Sequence, residues 1–213
     1  MSQRAKKVIG GIYSFAADKL YEPLVVHGAF RVFGGQLNDL VVEQGKRAVS
    51  GARGGPILDL PVGTGYFTVE MARRHEGVVV GVDIAEGMVR ETAERGRQET
   101  PNLVAAQADA HHLPFADEAF KAVVCTNGLQ VMPGLVPTID ELERVLAPGG
   151  RLYVSVLLAP VGAGFRSSTR EHLPTLVRPA RDVVAAIASR GLHVTRQERV
   201  RMATLIEATK PKA

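Results

Sequence analysis

Apolar residues in this chain fall into two kinds of run, and the two kinds alternate. A mixed run at 192–199, with Leu192 and Val194 among polar residues, reads as a strand, and short, largely apolar stretches occupy 56–60, 78–83, 102–107, 120–126, 151–158 and 202–209. Each is too short for a helix and long enough for a strand buried on both faces. Between them lie 65–75, 86–97, 138–146 and 179–190, where apolar residues recur every three or four positions, as a helix with one buried face requires. Local signals mark the ends. Asp83-Ile-Ala-Glu86 and Thr138-Ile-Asp-Glu141 read as capping boxes. Pro148-Gly149-Gly150 stops the helix that the second box starts, and Pro179 and Gly191 bracket the last helix. Strand and helix in alternation imply a mostly parallel sheet covered on both faces. The last two runs are separated by about two residues and read as an antiparallel hairpin.

The first 50 residues carry a different pattern. Ile12, Phe15, Ala16 and Leu20 have helical spacing, as do Leu37, Leu40 and Val41, while Pro23 and Gly34-Gly35 break the segment into pieces. With no polar linker after it, this segment reads as a helical cap (1–50) on the core (55–210) of a single domain spanning 1–213, joined through the glycine-rich stretch 51–55. The expected fold is α/β: a Rossmann-like, seven-stranded, mostly parallel sheet with helices on both faces, an antiparallel C-terminal hairpin and an N-terminal helical cap.

Three successive strands end in an acid. The first closes on Asp59 and is followed by Leu60-Pro-Val-Gly63-Thr-Gly65 and a helix. Glycines in such a turn let a ligand approach the backbone closely. Two ligands compete for this turn. A dinucleotide fingerprint needs a third small residue where Thr68 stands, and has no use for an acid four residues before its first glycine. An S-adenosylmethionine (AdoMet) loop does use one, because a carboxylate can hold that ligand's ammonium. The second strand closes on Asp83, 24 residues later, at a distance that suits the hydroxyls of a ribose. The third closes on Asp109, which can accept from an adenine amino group while the Ala110 N–H donates to a ring nitrogen. Such ligands lie outside the carboxyl ends of the strands, where Asn127 also falls.

With these residues in view the chain resembles the class I AdoMet-dependent methyltransferases, in particular a small bacterial group with an Asp-Ala-x-x-Leu-Pro-Phe turn. The resemblance rests on 59–65, Asp83, 109–115 and the stretch Leu142-Glu-Arg-Val-Leu-Ala-Pro-Gly-Gly150, and it covers about 55–210. It implies AdoMet as cofactor, held by Asp59, Leu60, Pro61, Gly63, Thr64, Gly65, Asp83, Ile84, Met88, Asp109, Ala110 and Asn127. Two positions depart from the group's pattern: Pro61 stands where glycine is usual, and Lys121 where an acid often follows the Phe of the fourth strand.

Composition narrows the setting. The chain has 213 residues, 46% of them hydrophobic, and no apolar run long enough to span a membrane. Its basic N-terminus lacks a signal-peptide core, and Cys125, the single cysteine, sits in an apolar strand. These features point to the cytoplasm. Residues 1–150 carry a net charge of −3 and residues 151–213 a net of +7. That basic third reads as a solvated surface or as attraction for an anionic or polar acceptor. With no Trp and 5% aromatics, base-stacking platforms are scarce, so nucleic acid is not the expected partner.

Methyl transfer from a sulfonium depends mainly on holding acceptor, methyl and sulfur in line. A base is needed where the acceptor is an alcohol, and His27 and His172, one in the cap and one in 159–178, are the candidates. Tyr66, Asn127 and Gln130 are the expected acceptor contacts. The stretch 159–178, rich in Arg, Ser and Thr, reads as a lid and favours a polar small molecule, a saccharide or hydroxylated natural product, methylated on oxygen. The apolar cap supports the alternative of carbon methylation of a quinone or polyketide, and a non-catalytic AdoMet-binding module is a third reading. Asp140, Glu141 and Glu143 share a helix and read as a solvated face. A divalent metal held from separate loops stays open, as does the oligomeric state.

Overall fold

The structure is a computed structural model and describes residues 35–157, 178–200 and 203–212. Its elements run α1 (Gly35–Ala52), β1 (Ile57–Asp59), α2 (Tyr66–Arg73), β2 (Val79–Asp83), α3 (Glu86–Glu99), β3 (Leu103–Gln107), β4 (Phe120–Thr126), α4 (Leu135–Val145), β5 (Leu146–Leu157), α5 (Ala180–Ser189), β6 (His193–Val200) and β7 (Ala203–Thr209). The seven strands form one sheet in the order β3-β2-β1-β4-β5-β7-β6. Pairing is parallel from β3 to β5, and β7 runs antiparallel to both β5 and β6. The expected α/β sheet with a C-terminal hairpin is therefore present.

Alternation along the strands builds a core on each face. Leu58, Val123, Cys125, Leu152 and Val154 turn to one side, where Ile139, Leu142, Val183 and Ile187 of α4 and α5 cover them. Ile57, Ala122, Val124 and Tyr153 turn to the other, against Ala48 and Ala52 of α1 and Val69 and Ala72 of α2. Both sets are buried, which is why these strands read as continuous apolar runs. Cys125 is a core residue whose thiol burial pushes up to about 12.

Helix α1 is tied into the sheet by more than apolar contact. Gln44 Nε2 donates to the Val154 carbonyl at 2.9 Å, Tyr153 Oη donates to the Arg47 carbonyl at 2.9 Å, and Arg47 forks onto Glu207 of β7 at 2.6 and 2.9 Å. The last helix of the expected cap thus packs as a layer of the core. Residues 1–34 lie outside the described residues.

Three local readings change. Helix α4 starts at Leu135, not at 138. Gly134 caps it at φ 67°, Pro137 falls in the first turn where its missing N–H costs nothing, and the Thr138 hydroxyl bonds back to the Gly134 carbonyl at 3.0 Å. Thr138 therefore caps nothing. Pro148-Gly149-Gly150 does not merely end the helix: 146–150 already pair in β5, through Phe120 and through the Gly149 N–H to the Lys210 carbonyl. Glu141 is not solvated. It accepts the Leu113 N–H at 2.7 Å and two hydrogen bonds from Arg144, which hold its carboxyl below the usual range. Arg144 also donates to the Leu113 and Phe115 carbonyls, so the 113–115 turn and the 142–150 stretch, distant in sequence, are one hydrogen-bonded unit.

Candidate active site

The parallel strands reverse their order at β1 and β4, and ligands of open α/β sheets bind outside that crevice. Asp59 ends β1 there, and the chain turns through a cis Leu60–Pro61 bond into the glycine loop. The turn is pinned by backbone bonds from Leu60 N–H to the Val124 carbonyl, Val62 N–H to the Val82 carbonyl and Gly65 N–H to the Val62 carbonyl. Gly63 and Gly65 lie at φ 56° and 77°. A Cβ on Gly63 would meet nothing, because its backbone faces open space, whereas one on Gly65 would press Thr92 Oγ1 at 2.9 Å. Helix α2 then begins at Tyr66 with no side-chain cap on its first N–H groups.

A cleft with about 1160 Å³ of empty space, its mouth included, opens over this turn. Its lining contains Asp59, Pro61, Gly63, Thr64, Tyr66, Asp83, Ile84, Met88 and Asn127, all expected from the sequence. A second cavity of about 530 Å³ holds Asp109, Ala110 and Leu60, and shares Pro61, Asp83, Ile84, Met132 and Pro133 with the first. The acids that end β1 and β2 and the one in the turn after β3 thus line two adjoining cavities, together the hollow of the site.

Each acid is held differently. Asp59 is 4% exposed; its Oδ2 accepts the Thr68 hydroxyl at 2.5 Å and its Oδ1 is buried with no partner. Burial pushes its carboxyl up to about 7, the Thr68 bond opposes the rise and the Asp83 charge adds to it. Asp83 takes the Gly63 N–H on Oδ2 and the Ala85 N–H on Oδ1, both at 3.0 Å. Burial raises it too, against the pull of those N–H groups. The capping box read at Asp83 is replaced by this bridge: α3 starts at Glu86 behind Ala85, with no side-chain cap. Asp109 Oδ1 accepts the His111 N–H at 3.1 Å and lies 3.3 Å from His111 Nδ1.

The loop after β4 forms the opposite wall. Asn127, at φ 55°, exchanges hydrogen bonds with Ser155 and lines the cleft with Val131, Met132 and Pro133. Gln130 does not reach the cleft. It is buried, its Oε1 accepts the Leu157 N–H at 2.7 Å, and its carbonyl accepts the Arg178 N–H at 2.9 Å. Its place as an acceptor contact is therefore corrected: it holds the wall to the end of β5 and the start of α5. The Arg178 guanidinium donates to the Leu129 and Met132 carbonyls of the same loop. Tyr66 is 39% exposed at the rim and packs edge-on against Phe67, with ring centres 5.1 Å apart.

His27, His172 and most of 159–178 lie outside the described residues. The basic third is not one free patch. Arg178 is engaged with carbonyls, Arg190 with Asp140, and Arg196 with Glu198 and Glu207. Among the described residues, no three His, Cys, Asp or Glu side chains gather as a metal site, and no helix is long and apolar enough to cross a membrane. Sequence reasoning placed 127–134 over the ligand edge of the sheet but missed Thr68 and Phe67 as parts of the site. Thr68 is three positions into α2, where one face of the helix turns back to the end of β1, and that spacing was the available signal.

Comparison with known proteins defines the class. Residues 57–150 match the family model described as a methyltransferase domain, in a fold shared with SAM-dependent methyltransferases of known structure. A demethylmenaquinone methyltransferase of Beutenbergia cavernae is 38% identical over 138 residues, which is 64% of this chain and 55% of that protein. The chain thus spans about half the length of that curated relative. Two solved structures share the fold. A SAM-dependent methyltransferase from Aquifex aeolicus has a TM-score of 0.67 at 18% identity, covering 79% of this chain and 88% of its own. The [4+2]-cyclase SpnF has a TM-score of 0.69 at 22% identity, covering 84% and 81%.

Proposed function

We propose that this protein transfers a methyl group from AdoMet to a ring carbon of a flat, apolar, hydroxylated acceptor of the quinol kind. The observation that carries the reading is the lining of the cleft. Beyond the acids it is mostly apolar: outside the residues assigned to the cofactor, Val62, Tyr66, Phe67 and Val131 offer a surface suited to an apolar ring, with Thr68, Thr126 and Asn127 as polar side chains. The similarity to demethylmenaquinone methyltransferases supports the same choice. Methylation of a sugar hydroxyl, the first expectation, drew on 159–178 and on His27 and His172, which apart from residue 178 lie outside the described residues.

In this reading Asp59 holds the ammonium, with its unpartnered Oδ1 as the receiving atom, and the glycine loop and the bare N-terminus of α2 receive the carboxylate. Asp83 serves the ribose hydroxyls, and Asp109 with Ala110 serves the adenine. Gly63, Thr64, Gly65, Leu60, Pro61, Ile84, Met88 and Asn127 shape the hollow, and Tyr66 faces the acceptor. Transfer breaks the sulfonium–methyl bond, forms a carbon–carbon bond and releases the displaced ring proton, leaving S-adenosylhomocysteine. The chain's contribution is alignment in a water-poor cleft.

The fold alone does not decide the reaction, as the cyclase neighbour illustrates. The test is incubation with methyl-labelled AdoMet and either a reduced naphthoquinone bearing an unsubstituted ring carbon or a panel of saccharides. The expected product is the C-methyl quinol, identified by mass and methyl position. A methyl on oxygen would overturn the carbon reading. Tight S-adenosylhomocysteine binding without turnover of any acceptor would favour the binding module.

A further inference from the structure

The wall that closes the hollow, residues 128–133, is an irregular loop, so its shape rests on where its carbonyls find donors. The Gly128 carbonyl accepts the Val131 and Met132 N–H groups within the loop. The Leu129, Gln130 and Met132 carbonyls are taken by Arg178, from guanidinium, backbone and guanidinium respectively. All of these anchors lie on the side of β5 and α5. The Pro133 carbonyl is held from the opposite side, by Nε2 of His111 at 2.7 Å.

His111 stands in the turn after β3 and lines the second cavity beside Asp109 and Ala110. Its ring packs over the bare backbone of Gly134, where a Cβ would sit 2.7 Å from Nε2. A carbonyl only accepts, so Nε2 carries the hydrogen and Nδ1 is the atom turned to Asp109 Oδ1. The ring therefore spans the hollow's end, joining the turn that carries Asp109 to the wall that carries Met132 and Pro133. Those two residues line both cavities.

We propose that His111 is a positioning residue for the cofactor: its Nε2–H grips the Pro133 carbonyl and so keeps Met132 and Pro133 closed over the adenosine end of the hollow. The inference rests on the reading that this hollow binds AdoMet. It assigns His111 no proton transfer. Loss of the grip frees the wall on one side while Arg178 still holds the other, so the effect falls on cofactor affinity and not on folding.

The experiment uses the full chain and two ligands, S-adenosylhomocysteine and 5′-methylthioadenosine, the second having the adenosine end without the amino acid. Calorimetry compares His111→Ala, His111→Gln and His111→Asn. A glutamine amide nitrogen reaches the place of Nε2, whereas an asparagine reaches only that of Nδ1. His111→Ala is expected to weaken both ligands by the same factor, about three- to tenfold for one hydrogen bond, with thermal midpoint unchanged within about two degrees. Glutamine restores the affinity and asparagine does not. Unaltered affinity in His111→Ala, or rescue by asparagine in place of glutamine, overturns the proposal. Failure of the unmodified protein to bind S-adenosylhomocysteine overturns the AdoMet reading instead, so the two failures are distinct.

Discussion

Asp59 makes cofactor binding a titration. Its carboxyl is buried, one oxygen lacks a partner, and burial lifts its ionisation from the ordinary 3.8 to about 7. A folded-state value above the unfolded one means the native protein prefers the neutral acid. The cost of ionising it is absent below pH 4, grows as pH rises and is complete above pH 7, where it reaches about 4 kcal/mol. A bound ammonium converts that liability into an ion pair. S-adenosylhomocysteine should therefore bind best where Asp59 has lost its proton and the ligand's amino group has kept its own. The ionisation of Asp59 alone makes affinity about eightfold weaker at pH 6 than at pH 7.4.

Asp59→Asn isolates the acid limb. The amide oxygen can still accept the Thr68 hydroxyl, but no carboxylate remains to titrate or to pair. The variant should bind about 10- to 100-fold more weakly, the worth of a hydrogen bond to a charged group, and its affinity should hold within about twofold between pH 6 and 7.4. Its free form should be more stable than the unmodified protein at pH 8, with a midpoint several degrees higher, because the buried charge is gone. Calorimetry across pH 6–9 reads the affinities and scanning calorimetry the stability. An acid limb that persists in Asp59→Asn would falsify the assignment and pass it to another group, Asp83 first, since burial raises that carboxyl as well.

Two further perturbations test the frame of the site. Gly65→Ala places a Cβ 2.9 Å from Thr92 Oγ1 and 3.2 Å from its Cα, at a φ of 77°, and should cost about 2–3 kcal/mol, lowering the thermal midpoint by about 5–10 degrees together with cofactor affinity. Gly128→Ala drives a Cβ into Cδ of Pro61 and to 3.0 Å from Cys125 Sγ, whereas in a Pro61→Gly background the first collision disappears. The double variant should then be more stable than the two single changes predict by about 1 kcal/mol or more in a denaturation cycle, and strict additivity would show that the two residues do not share space. Pro61→Gly alone should leave AdoMet affinity within about tenfold, 1.4 kcal/mol.

The inner strands β1, β2, β4, β5 and β7 were legible because they are largely buried on both faces, so composition carries them, whereas β3 and β6, the sheet's edges, are more exposed and rest on their place in the alternation. The acids at their ends were legible because a strand's end fixes where the next residue lies, and Asp59, Asp83 and Asp109 do line one hollow. What stayed hidden depends on partners distant in sequence. Gln130 looked like an acceptor contact because it follows β4, yet the Leu157 N–H turns its side chain away. That 127–134 cover the sheet's ligand edge was readable from their place after β4, but which of Val131, Met132 and Pro133 face inward has no period to report it. The start of α4 was read too late because Pro137 resembles a boundary, although the first turn tolerates it. Pro148-Gly149-Gly150 resembled a stop, and only Phe120 and Lys210 show that 146–150 already belong to the sheet.

Pro61 illustrates how such distant partners bear on function. Where glycine is usual in the group this chain resembles, a ring now lines both cavities. The ring rests against Gly128, which has no side chain to meet it. Gly128 is also where the wall begins, its carbonyl taking the Val131 and Met132 N–H groups. The cofactor loop and the wall therefore touch through a proline and a glycine at one end of the hollow, and through the His111 grip on Pro133 at the other. A rigid ring in the loop removes a freedom that a glycine would have left. The wall, held at both ends and by Arg178 behind, is arranged to the same effect. Binding energy that would otherwise order these loops is then available for alignment of the methyl group, which is the main demand of an in-line transfer.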